Sequence, residues 1–312
     1  MIGYTIQAEA LGFAYAKREI LQAIDLQVST GEIYGLVGAD GAGKTTLLRL
    51  AVGQLVPTRG RISVLDKPAT SPELRTLVAY MPQGFGLYPD LSVQENLDFF
   101  ADLHGLTHTA AHQRIAELLQ RTGLAGFATR RAGNLSGGMM QKLALACALV
   151  SQPRVMVLDE PTTGVDPVSR RAFWRLLDGV RTEGVAILYA TANMDEAERC
   201  DRVGLLEEGG LRRQGTPLEL ASSAGAELFG LSGPEARRCR TALEALAGVQ
   251  MVFPVGQQLR LWLEPGYPNA DFLAQLVQLF PQLEACPLQP TLQDTALRDL
   301  ALAERLNLGR RS

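Results

Sequence analysis

The chain has 312 residues, 46% of them hydrophobic and 20% charged, and its 30 basic and 33 acidic side chains leave a net charge of −3. That length suits about two domains and a sizeable core, which excludes a peptide hormone or a mini-scaffold, and the composition excludes a disordered or fibrous chain. Basic residues are scattered along this nearly neutral chain, so its charge points neither to nucleic acid nor to an anionic lipid surface.

The first residues carry no basic stretch ahead of an apolar one, so a secretory leader is not expected. No apolar run approaches the ~18 residues that a membrane span needs. The best, 143–150, is stopped by Ser151, Gln152 and Pro153, and any membrane role is expected to come through a partner. Cys147, Cys200, Cys239 and Cys286 lie far apart with no Cys-x-x-Cys pair. This is the pattern of small buried apolar side chains in a reducing compartment, not of a zinc site or a disulfide framework.

Up to about residue 220, short β-branched runs alternate with longer helical ones, the mark of an α/β layer fold. Strands are predicted at 33–37, 155–158, 186–190 and 203–207, the last three as near-continuous apolar runs covered on both faces. Between about 90 and 150 strand signals give way to helical ones. Ser92 and Glu95 form a capping box, and Ile115, Leu118 and Leu119 recur at helical spacing, so an all-helical insert is expected there. Its three histidines, His104, His108 and His112, read as solvated rather than metal-binding.

From about 225 to 312 the order changes to strand 227–231, helix 234–246, strands 249–255 and 258–263, helix 269–280, and strand 283–288, closed by a helix at 292–306. That βαββαβ order is the split, ferredoxin-like α+β unit. It carries no motif with attached chemistry and reads as an accessory domain.

Chemistry concentrates in three segments. Gly38-Ala39-Asp40-Gly41-Ala42-Gly43-Lys44-Thr45 fits G-x-x-x-x-G-K-[ST], follows an apolar strand and precedes the amphipathic run 46–52. Gly41 and Gly43 let backbone N–H groups point inward at a triphosphate, Lys44 meets the β- and γ-phosphates, and the Thr45 hydroxyl meets Mg²⁺. Such a loop alone leaves kinase, GTPase and transporter ATPase open. The buried strand at 155–158 then runs into Asp159 and Glu160, where the first carboxylate can hold Mg²⁺ and the second can polarise the attacking water. Ser136, Gly137 and Gly138 open a helix that runs to Val150 and offer backbone donors at its positive end, a second phosphate site. Because one nucleotide needs only one γ-phosphate cradle, a head-to-tail dimer is expected, in which this segment closes over the partner's nucleotide.

Together these residues resemble the nucleotide-binding subunit of ATP-binding-cassette (ABC) transporters over about residues 5–220, in the exporter branch related to the YbhF-type ATPases. The resemblance implies a P-loop ATPase domain at 1–220 with a mixed sheet and a helical subdomain at about 90–150, followed by the accessory domain at 225–312. It implies Mg-ATP held by Gly38, Asp40, Gly41, Ala42, Gly43, Lys44, Thr45 and Thr46, with Tyr15 stacked on the adenine and Mg²⁺ bound by Thr45, Gln83 and Asp159. Glu160 and Gln83 are the implied catalytic residues, while Ser136, Gly137, Gly138 and Asp166, the last in the loop 164–167 that crosses the dimer, serve across the interface. The implied partners are a second ABC subunit, self or paralogue, and a membrane permease, with no nucleic acid. The implied place is cytoplasmic, on the inner face of the cell membrane. The alternative is a soluble cassette protein acting as a mechanical or scaffold factor. The sequence departs from the family at Ala192, where the family has a histidine, so hydrolysis at the chain's own site is expected to be impaired and turnover low.

Overall fold

The computed structural model describes residues 4–222 and 226–309. It divides into two compact units, Met1–Gln214 and Gly215–Ser312. The junction expected at 220–225 falls partly on 223–225, which lie outside the described residues.

In chain order the first unit runs β1 (Ile6–Tyr15), β2 (Arg18–Val28), β3 (Ile33–Val37), α1 (Lys44–Ala51), β4 (Arg59–Val64), β5 (Lys67–Pro68), β6 (Val78–Met81), α2 (Val93–Leu103), α3 (His108–Thr122), α4 (Gly137–Leu149), β7 (Val155–Asp159), α5 (Pro167–Thr182), β8 (Ala186–Thr191), α6 (Met194–Ala197), β9 (Arg202–Glu207) and β10 (Gly210–Gly215). A six-stranded sheet has the order β10-β9-β3-β8-β7-β6. Its strands β9, β3, β8, β7 and β6 are all parallel. β3, β7 and β8 are buried at every position, as expected for strands covered on both faces.

Sequence reading missed the second sheet of this unit, ordered β2-β1-β4-β5 with antiparallel pairing. Its two long strands carry bulges, with register shifts between Ala8 and Leu11 and again after Leu11 and Phe13, and left-handed backbone at Ala10 and Ala23. Each bulge resets which residues face inward, so the period-two alternation that marks a strand breaks up.

Between β6 and β7 the insert contains α2 and α3, short 3-10 turns, and α4. The capping box at the start of α2 forms with both of its bonds: Ser92 N–H donates to Glu95 Oε2 at 2.7 Å, and Glu95 N–H donates to Ser92 Oγ at 3.1 Å. No helix among the described residues is long and apolar enough to cross a membrane.

The second unit contains α7 (Pro217–Ser222), β11 (Leu228–Ser232), α8 (Arg240–Glu244), β12 (Val249–Val255), β13 (Gln258–Leu263), α9 (Asn269–Leu279), β14 (Glu284–Leu288) and α10 (Leu292–Gly309). Its sheet has the order β12-β13-β11-β14, and all its neighbours are antiparallel. The single helix expected at 234–246 is a correction. Glu235 sits in the left-handed region at φ 58°, so the segment starts as a 3-10 turn, Ala236–Cys239, and only Arg240–Glu244 is α-helical. Phe229, Leu231, Val252, Leu261, Phe272 and Leu276 fill this unit's own core.

Candidate nucleotide site

Four neighbouring parallel strands end along one edge of the six-stranded sheet, and each delivers one part of the site. Val37 pairs with Thr191, Asp159 with Ala190, and Met81 with Leu158, so the residues after β3, β8, β7 and β6 emerge side by side. Those residues are the loop from Gly38, the turn at Ala192, the carboxylates of Asp159 and Glu160, and Gln83. The carboxyl edge of a parallel sheet is where ligands bind in open α/β folds.

The loop between β3 and α1 is shaped by its glycines. Gly43 caps α1 with φ 109°, and a Cβ there would lie 2.8 Å from Leu21 Cδ2. Gly41 has φ 80° with open space on the side where a Cβ would point. Only glycine adopts such conformations freely, and backbone N–H groups are thereby presented at the start of a helix. Gly38 N–H donates to Thr191 O at 3.4 Å, tying the loop to the end of β8. A cavity of about 320 Å³ is lined by Arg18, Ile20, Asp40, Gly41, Gly43, Lys44, Thr45, Thr46, Gln83 and Glu160. Ala42 is buried beside it.

Lys44 is only 5% exposed, and its ammonium group is the cation at the centre of the site. It donates to Gly38 O at 2.8 Å and Ala39 O at 3.1 Å, pairs with Glu160 Oε1 at 3.0 Å, and lies 3.9 Å from Asp40 Oδ1. Glu160 takes up left-handed backbone at φ 49°, a conformation costing ~1 kcal/mol or more for a residue with a Cβ, and its N–H is held by Ala190 O at 3.0 Å. Such a conformation is a mark of functional sites. Gln83 Nε2 and Thr163 Oγ1 both donate to Glu160 Oε2 at 3.4 Å.

Asp159 is buried, and burial holds its carboxyl above the usual carboxylate range, with the Thr45 hydroxyl beside it acting in the opposite direction. Tyr80 OH donates to its Oδ2 at 3.4 Å, while Oδ1 is buried without a hydrogen-bond partner. An orphaned carboxylate oxygen beside a threonine hydroxyl offers oxygen donors of the kind a hard divalent cation takes. Among the described residues no group of three or more His, Cys, Asp or Glu side chains forms a separate metal cluster.

The remaining predicted residues fall elsewhere. Tyr15 ends β1, is 45% exposed and stacks edge-on against Phe13 at 4.8 Å, but does not line the cavity. Arg18, its partner in the hairpin, and Ile20 do line it, and sequence reading missed both because their place depends on the pairing of Tyr15 with Arg18. Ser136, Gly137, Gly138 and Asp166 are not in the lining either. Together they make a second cluster where α4 meets α5. Ser136 caps α4 by accepting from Met139 N–H at 3.3 Å, and Asp166 caps α5 by accepting from Val168 and Ser169 N–H at 3.0 and 2.9 Å.

Gly138 is where these two helices touch: a Cβ there would lie 2.2 Å from Ser169 Oγ and 2.4 Å from Ser169 Cβ. Gly138→Ala is therefore expected to push the helix starts apart and cost ~1–3 kcal/mol. Thermal unfolding should show a lowered Tm, largely restored by adding Ser169→Gly. An unchanged Tm for Gly138→Ala would show that the contact yields freely.

A glycine loop entering a helix, a buried acidic strand end and parallel strands opening on one edge define a P-loop nucleotide-binding protein of mixed α/β architecture. A family model described as ABC transporter matches residues 21–163, and the Nod factor export ATP-binding protein I of Burkholderia orbicola is 40% identical over 237 residues, 75% of this chain and 78% of that protein. The chain belongs to the ATP-binding family of ABC transporters. It is also 46% identical over 213 residues to the probable multidrug ABC transporter ATP-binding protein YbhF of Escherichia coli; the match covers 68% of this chain but only 37% of that longer relative. Among solved structures, cbiO1 of Clostridium perfringens, part of the ABC transporter complex cbiONQ, is 31% identical with a TM-score of 0.65, covering 70% of this chain and 90% of that one.

Proposed function

We propose that this chain is the ATP-binding and ATP-hydrolysing subunit of an ABC exporter, which pairs head to tail around two nucleotides and passes that closure to a separate membrane permease. The observation that carries the reading is the division of the site into two clusters: the cavity around Lys44 has its own cations and carboxylates, while Ser136, Gly137, Gly138 and Asp166 cluster apart from it at helix starts. A head-to-tail partner, a second copy or a paralogue, brings one cluster over the other.

In this reading Gly38, Asp40, Gly41, Ala42, Gly43, Lys44, Thr45 and Thr46 hold the phosphates, Tyr15 with Arg18 and Ile20 flanks the base, and Glu160 orients the attacking water. Thr45, Asp159 and the amide oxygen of Gln83 hold Mg²⁺, which offsets the charge on the β- and γ-phosphates when bound. Lys44 leaves Glu160 for the phosphates, which frees that carboxylate to meet water. Ala192 brings no donor to the γ-phosphate, so turnover at this site is slow. A cavity of about 400 Å³ next to Gln83, walled by Met81, Pro82, Phe85, Phe100, Ala144 and Cys147, supports docking of a permease there. The names of the YbhF and Nod factor relatives support export as the direction. The accessory unit is read as a ferredoxin-like domain, supported by its strand order. The subunit's place is the inner face of the cell membrane, through its permease.

Assembly is tested with Glu160→Gln, which removes the carboxylate at the water while keeping Asp159 for the metal. Light scattering is expected to give the monomer mass without nucleotide and twice that mass with Mg-ATP. The same mass in both conditions would exclude self-pairing and assign the second cassette to another chain.

A further inference from the structure

Glu196 is buried at 3% exposure in α6, a helix of only four residues, and takes no part in the site described above. A carboxylate is almost never fully buried unless it is paired, and its desolvation is costly. Three hydroxyls and one guanidinium converge on it from separate segments. Its Oε2 accepts from Tyr189 OH at 2.9 Å and Thr191 Oγ1 at 2.8 Å, at the end of β8. Its Oε1 accepts from Thr162 Oγ1, in the loop after Glu160, and lies 3.5 Å from Arg170 Nε of α5.

The direction of these bonds matters. A threonine hydroxyl has one proton. Thr191 gives its proton to Glu196, and its oxygen then accepts Asn193 N–H at 2.9 Å, which shapes the turn at Ala192. On the other side, the Arg170 guanidinium donates to Val165 O at 3.3 Å, so the loop 162–165 is held at Thr162 directly and at Val165 through Arg170. Holding α6 in place needs no such hub, since Asn193 Oδ1 already caps it by accepting Asp195 N–H at 2.9 Å. A buried charge network of this kind adds little stability over a well-packed apolar side chain. Its distinctive property is that both segments take their geometry from one group.

We propose that Glu196 is a positioning residue that clamps the loop following Glu160 to the turn at Ala192, so that the loop meeting the partner subunit and the turn facing the γ-phosphate move as one body. The use of that motion rests on the head-to-tail reading above; the clamp itself does not require it and can be tested on the nucleotide-free chain.

The experiment is hydrogen–deuterium exchange by mass spectrometry on the full chain and on Thr162→Val, Thr191→Val and Glu196→Gln. Thr162→Val is expected to speed exchange at the distant Asn193 amide by about tenfold, the factor that follows from losing one hydrogen bond to a charged acceptor. Thr191→Val is expected to speed exchange across 163–169 in turn, and Glu196→Gln in both segments, with β3 and α1 unchanged in each. If each threonine substitution altered exchange in its own segment alone, the clamp would be disproved; the two valine variants carry this test even where Glu196→Gln fails to fold. Glu196→Gln is also expected to lower steady-state turnover while leaving the ATP dissociation constant within about twofold, since positioning acts on the transition state. A weakening of affinity equal to the fall in turnover would assign Glu196 to general support of the fold and overturn the proposal. Failure of the dimer test with Glu160→Gln, by contrast, would leave the clamp standing and remove the proposed use of it.

Discussion

Lys44→Ala is expected to weaken Mg-ATP binding by ~100-fold or more, at the upper end of the ~1.5–3 kcal/mol that a hydrogen bond to a charged group contributes. The buried ammonium group is held by the carbonyls of Gly38 and Ala39, and it is the cation that offsets Glu160 in the cavity. Without it, the side-chain donors left to the Glu160 carboxylate among the described residues are neutral, Gln83 and Thr163, each at 3.4 Å. A polyphosphate would then meet Asp40, Asp159 and Glu160 with no lysine to balance them, and Asp159, already held above its usual range by burial, would lose one of the influences that lowers it. The fold should survive, because Leu47, Leu48, Leu50 and Ala51 keep α1 buried against the core without Lys44. Isothermal titration with Mg-ATP, alongside circular dichroism, measures both. Wild-type affinity in the variant would show that this loop is not the nucleotide site.

Ala192→His is expected to raise turnover ~10²-fold, the effect typical of one donor aimed at charge developing in the transition state. The backbone there is already in place. Thr191 O accepts Gly38 N–H, Ala190 O accepts Glu160 N–H, and Ala192 follows those anchors directly and is exposed. A histidine therefore needs only its side chain to reach the space between the glycine loop and Glu160. Nucleotide affinity should change no more than a few-fold, because the new contact acts chiefly on the transition state and not on bound ATP. Asn193 uses its Oδ1 to cap α6, accepting Asp195 N–H at 2.9 Å. Phosphate release and nucleotide titration on the same preparations check both parts. Parent-level turnover in Ala192→His would sink the idea that position 192 limits hydrolysis.

The glycine loop was legible in the sequence because its chemistry is contiguous: eight residues make the turn, and the strand before and the helix after them announce themselves by their own apolar patterns. Buried parallel strands such as β7 and β8 were legible for the same local reason, as was the capping box of Ser92 and Glu95. What the tertiary structure alone decided are relations between distant segments: the pairing of Lys44 with Glu160, the approach of Gly138 to Ser169, the convergence of three hydroxyls and a guanidinium on Glu196, and the separation of Ser136 and Asp166 from the cavity. The same holds for the bulged sheet of β1 and β2, and for the left-handed Glu235 that splits a helix whose residues read as continuous. Periodicity reports which face of one element is apolar, but register between strands and contact between helices are set by the whole packed core, which a local window of sequence does not contain.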